Sequence, residues 1–172
     1  MKLSPKCHSS GTTLVEVLVA TLLLASFFAS LFEANALCLR FVAASKQSVA
    51  AIEVVQARAE VFRNLRFTDL TTTSYVQNLL ATAANTSDFA KSATEVVKIS
   101  AYPTANGVTQ MTRATNGTVS LDSTATSLGP SSPPGSPPEL VKVDISQTWI
   151  GVLGGRQRTE QTSLIISNGT RK

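Results

Sequence analysis

The apolar residues of this chain crowd into one stretch. From Thr12 to Phe32 nearly every position is apolar, and Glu16 is the only ionisable side chain in 21 positions. Such a run has the length to cross a bilayer, which takes about 20 apolar residues in a helix. Beyond Phe32 the pattern changes from apolar all round to amphipathic. Leu37, Phe41, Ser45, Val49, Ile52, Val55, Ala59 and Phe62 recur at three- and four-residue steps, while Arg40, Lys46, Glu53, Arg58, Glu60 and Arg63 mostly fall elsewhere. That spacing predicts a helix with one face that something must cover. No Pro or Gly interrupts Leu14 to Phe67, so both patterns are predicted to belong to one continuous helix, about 80 Å long at 1.5 Å per residue. The alternative is a membrane helix, a break near Glu33 to Asn35, and a separate soluble helix.

The rest of the chain has the period of strands. A Thr-, Ser- and Ala-rich stretch, residues 68–94, holds one short helical segment, Tyr75 to Ala84, with Ser74 as its cap. Glu95 to Tyr102 is enriched in β-branched residues, and Val108 to Ala114 and Thr118 to Asp122 flank Asn116-Gly117, a dipeptide suited to a tight hairpin turn. Ser123 to Pro138 contains five of the seven prolines and reads as a solvated loop of polyproline character. After it, Val141, Val143, Ile145, Gln147 and Trp149 alternate with Lys142, Asp144, Ser146 and Thr148, Gly151 to Gly155 turns the chain, and Arg158 to Ser167 returns. Together these predict a small antiparallel sheet of four or five strands packed on the amphipathic half of the helix.

Composition narrows the function classes. At 172 residues and 18.2 kDa the chain allows one ordinary domain at most, which excludes a multidomain enzyme. The formal charge is +4, but Lys2 and Lys6 precede the apolar run, and without residues 1–11 it falls to +2. Arg63 with Arg66 is the only basic pair of note before Arg156 and Arg158, and no aromatic residues interleave with them, so direct nucleic-acid binding is not expected. The only His is His8, the two cysteines are Cys7 and Cys38, and there is no CxxC pair or His cluster. Asp122 and Asp144 lack the run of oxygen ligands that calcium needs, and Gly154-Gly155-Arg156 lacks a phosphate-loop pattern. No catalytic residue, cofactor or metal is expected, and an enzyme is the disfavoured class.

Residues 1–36 admit three readings. A secretory signal peptide would use Lys2 and Lys6 as its charged start and Ala34-Asn35-Ala36 as its cleavage site, but its apolar part should be only about 7–15 residues. A plain membrane anchor, with Lys2 and Lys6 held on the cytoplasmic side, explains the length and leaves Glu16 unexplained. A carboxylate in the hydrocarbon costs about 2–3 kcal/mol even on lenient scales, which marks it as functional by default.

The third reading rests on Gly11-Thr12-Thr13-Leu14-Val15-Glu16-Val17-Leu18-Val19-Ala20. This stretch resembles the class III-type cleavage and methylation motif of type IV prepilins and type II secretion pseudopilins, with leader charge, Gly, Thr-Leu-Val-Glu-Val and apolar run all in register. The resemblance implies that a prepilin peptidase cuts after Gly11 and methylates the new amino group at Thr12, and that Glu16, fifth in the mature chain, acts in assembly. Thr12 stands where the family most often has Phe. Cleavage would leave an ammonium at Thr12 one helical turn from Glu16. Among packed helices a neighbour's Glu16 can pair with that ammonium, so that neither charge is buried alone.

The expected architecture is therefore α+β and pilin-like. Residues 1–11 would be a cleaved basic leader, 12–34 the transmembrane or filament-core half of the helix, 35–67 its amphipathic half, and 68–172 a soluble head with the Pro-rich loop 123–138. The expected partners are the prepilin peptidase, other pilin or pseudopilin subunits and the bacterial inner membrane, with the N-terminus cytoplasmic and the head periplasmic. The expected role is a structural, minor subunit. A monomeric single-pass membrane-anchored binding module is the alternative from another class.

Overall fold

The computed structural model describes residues 13–103, 108–122 and 139–169. Helix α1 (Leu14–Asn64) runs for 51 residues with no break at Glu33–Asn35. Its composition explains the continuity, since helix-favouring Ala, Leu, Glu, Arg and Gln dominate and Gly and Pro are missing. Three short helices follow, α2 (Phe67–Leu70), α3 (Thr73–Ala81) and α4 (Asp88–Ser92). The strands are β1 (Thr94–Tyr102), β2 (Thr109–Arg113), β3 (Val119–Leu121), β4 (Leu140–Ile150) and β5 (Gln157–Ser167). They form one antiparallel sheet in the order β3-β2-β1-β4-β5. The layout is α+β.

The chain divides into two compact units, Met1–Val42 and Ala43–Lys172. In the first, every described residue from Thr13 to Val42 is exposed, although most are apolar. In the second, one face of the sheet is covered. Val97 and Ile99 of β1, Met111 of β2, and Val141, Val143 and Ile145 of β4 meet Val55, Ala59 and Phe62 of α1, with Leu70, Val76 and Leu80 closing the side. Strand period places these residues on one face, because β1 and β4 pair with Val97 opposite Ile145 and Ile99 opposite Val143. Phe62 is wholly buried here, and replacing it by Ala would cost about 3–5 kcal/mol. A second, smaller cluster joins Ala51, Ala93 and Trp149, with Phe89 against them.

Several expectations need correction. Of the predicted stripe on α1, Val55, Ala59 and Phe62 are buried, but Leu37, Phe41, Ser45, Val49 and Ile52 are exposed. The buried line is instead Ala44, Ala51, Val54, Val55, Arg58, Ala59 and Phe62. The segment is apolar on more than one face, so period alone did not fix its rotation. The middle helix begins earlier than predicted, at Thr73, with Thr72 and not Ser74 before it. The hairpin at Asn116-Gly117 exists, but only Gly117 takes a positive φ, 83°. Its three-residue loop closes through Gly117 N–H to Ala114 O at 2.9 Å and Ala114 N–H to Thr118 O at 2.8 Å, a type I turn followed by a left-handed glycine. Loop 123–138 lies outside the described residues.

Candidate functional site

The N-terminal segment of α1 is long and apolar enough to cross a membrane, and none of it is covered by the protein. Leu14 is 81% exposed and Phe32 71%, with large aliphatic and aromatic side chains uncovered between them. Uncovered apolar surface of this extent is typical of segments that contact a membrane or another protein. Its hydroxyls suit that environment. Thr21 Oγ1 donates to Leu18 O at 2.9 Å, Ser26 Oγ to Leu23 O at 2.8 Å and Ser30 Oγ to Phe27 O at 2.8 Å. These bonds back into the preceding turn satisfy the hydroxyls without water. Between Leu14 and Phe32, Glu16 is then the one polar side chain left in need of a partner.

Glu16 is the third residue of α1, and its backbone N–H bonds to Thr13 O at 2.9 Å. A carboxylate in the first turn also faces the positive end of the helix dipole, worth about 0.3–1 kcal/mol at an exposed site. Thr13-Leu14-Val15-Glu16 has the spacing of a capping box, but Thr13 and Glu16 are joined only through the backbone. Gly11 and Thr12, the expected processing residues, lie outside the described residues. The structure therefore places Glu16 at a helix start.

A second polar feature was missed altogether. Arg58, assigned to the polar side of the helix, is buried on the packed face and meets Glu95 at the start of β1. Its Nε donates to Glu95 Oε1 at 2.6 Å and its Nη2 to Oε2 at 3.0 Å. The same guanidinium donates to Thr82 O at 2.7 Å and to Leu79 O at 3.4 Å. One side chain thus fastens the helix to the central strand and to the end of α3. Glu95 lies between Arg113 of β2 and Gln147 of β4 in register, so a buried polar row crosses the sheet. Arg113 Nη1 donates to Ala90 O at 3.1 Å, which holds α4 against the sheet. Arg58 stands three residues after Val55 and four before Phe62, and Glu95 alternates with Val97 and Ile99. These positions were the available signal.

Elsewhere the polar groups are ordinary. Asp144, on the outer face of β4, receives a hydrogen bond from Ser163 Oγ and an ion pair from Lys142 Nζ at 2.9 Å. Partial burial pushes its carboxyl upward, but the Ser163 hydroxyl and the Lys142 and Lys98 ammoniums outweigh it and hold the carboxyl below its usual value. Among the described residues no group of His, Cys, Asp and Glu side chains is placed to hold a metal, and Cys38 is free and exposed. Compared with protein-family models, curated proteins and solved structures, the chain matches none significantly.

Proposed function

We propose that the chain is a minor structural subunit of a type IV pilus-like or type II secretion pseudopilus filament. It is made as a precursor, held in the inner membrane by the first part of α1, cut by prepilin peptidase after Gly11 and assembled through its apolar helix. The observation that carries this reading is the uncovered apolar segment Leu14–Phe32, whose hydroxyls are satisfied internally while Glu16 is not. A neighbour's Thr12 ammonium supplies the missing partner, and neighbouring helices supply the apolar cover. The head has no role in this reading as an enzyme. Major or minor status rests on the run Val15 to Ala20, which is similar to minor components of both systems.

The exposed helix is equally what a single-pass anchor for a monomeric β-rich binding module would present, and the oligomeric state separates the two. Intact mass and N-terminal sequencing of the protein from its native membrane test the precursor. A mature chain starting at Thr12 supports the filament reading, whereas a start at Leu37 would establish a secretory signal peptide.

A further inference from the structure

We infer that the end of the sheet where β1 begins and β4 ends is a binding site for a neutral saccharide. A cavity of about 630 Å³ opens there, its wall including Gln47, Phe89, Ser92, Thr94, Thr115 and Trp149. Ligand pockets commonly fall between about 300 and 1,000 Å³. Among the described residues no charged side chain lines it, which argues against phosphates, carboxylates and cationic ligands alike. What lines it is hydroxyl, amide and aromatic ring, with Ile150 and Gly155 completing the wall. A sugar offers the complement, since each hydroxyl both donates and accepts while the C–H faces of the ring suit the electron-rich faces of aromatic groups.

The site carries unused hydrogen-bonding capacity. Trp149, in the cavity wall, is 7% exposed and its Nε1 has no acceptor, whereas Gln147 Oε1 and Arg113 Nε, buried without partners on the same face of the sheet, lie outside that wall. Orphaned buried groups are uncommon in folded proteins and call for a reason. At the opposite wall the Gln47 amide is held in one orientation, because its Oε1 accepts from Val152 N–H at 3.2 Å. Its Nε2 hydrogens are then available as donors. The Phe89 ring meets the Trp149 indole edge to face, with centroids 5.3 Å apart, and it sits on the five-residue helix α4. The inference is independent of the filament reading, because every residue it uses belongs to the unit Ala43–Lys172.

Trp149 is the chain's single Trp, so one indole N–H resonance reports on the site. The test is a titration of the isotope-labelled full chain, in micelles of a polyoxyethylene detergent that contains no sugar, with maltose, cellobiose, lactose and diacetylchitobiose. At least one should shift the Trp149 resonance saturably, and the affinity should fall roughly tenfold in Gln47→Ala and in Thr115→Ala through lost hydrogen bonds. Ser120→Ala, on β3, should bind like the unmodified chain. No shift with any of the four disaccharides overturns the proposal, and so does equal affinity in the Gln47 and Thr115 variants.

Discussion

Arg58 and Glu95, 37 residues apart in sequence, form a two-pronged ion pair with both side chains almost wholly buried, 2% and 1% exposed. The pair sits where α1 crosses the start of the central strand. It does for orientation what the surrounding aliphatic contacts cannot. Aliphatic packing tolerates small slips, whereas a planar guanidinium accepts a carboxylate in few geometries. With Thr82 O and Leu79 O also bound, the helix is fixed in both rotation and register against the head.

Removing one member of this pair should be far worse than removing both. Arg58→Met strands the Glu95 carboxylate, and Glu95→Leu strands the guanidinium, each costing about 3–5 kcal/mol. The double variant leaves no buried charge at that position and should recover most of the loss. Denaturant unfolding followed by Trp149 fluorescence gives the three values. Single variants within about 1 kcal/mol of the unmodified chain would mean the pair is indifferent to stability.

Asp144 predicts a weak pH dependence of known sign. Its carboxyl is held below its usual value by Ser163, Lys142 and Lys98 in spite of partial burial. A depressed carboxyl contributes stability that is present above the unfolded-state value and is lost as pH falls through the lower folded-state value. Because the side chain is 36% exposed, solvent screening limits the contribution to less than about 1 kcal/mol. Asp144→Asn should therefore destabilise slightly at neutral pH, and the gap from the unmodified chain should close in strong acid. A gap that widened on acidification would contradict the assignment.

Strand identity was legible in the sequence because the period of two survives wherever one face is buried. Val141, Val143, Ile145, Gln147 and Trp149 were read onto one face and are buried on one face, Gln147 included. Helix rotation was not legible. Val49 and Ile52 look more suited to burial than Ala44 and Ala51, yet the alanines are inside, since which face of the helix is covered is a property of the assembled pair and not of either segment. The buried Arg58 was hidden for the same reason, as its partner lies 37 residues away. Short α2 and α4 depend on local contacts, such as Ser87 Oγ accepting from Ala90 N–H at 3.1 Å, that a sparse polar sequence does not advertise.

Processing should depend more on Gly11 than on either leader charge. A peptidase cutting after Gly11 must accommodate the side chain at the cut, and Gly11→Ala adds a Cβ there. Lys2→Ala removes a charge that Lys6 also supplies. A pulse-chase gel should show precursor accumulating for Gly11→Ala and near-normal maturation for Lys2→Ala. Equal maturation of both would remove the basis for cleavage at this position.

The last prediction separates the possible roles of Glu16. If its task is to meet a neighbour's Thr12 ammonium, Glu16→Ala should leave membrane insertion unchanged or improved, since it deletes a carboxylate costing about 2–3 kcal/mol in the apolar segment. Incorporation into filaments should fall, because a neighbouring ammonium would be buried unpaired at a cost of about 3–5 kcal/mol. If its task is only to cap its own helix, the loss is about 0.5–2 kcal/mol at a helix end, and Thr13→Ala, which removes the side chain that would complete a capping box with it, should have a similar effect. Fractionation of cells carrying each variant decides between them. Glu16→Ala protein retained in the inner membrane and depleted from sheared filaments, with Thr13→Ala protein present in both, is the outcome expected of pairing between subunits. Equal depletion of the two would assign Glu16 to the capping box, and normal incorporation of Glu16→Ala would leave it no part in assembly.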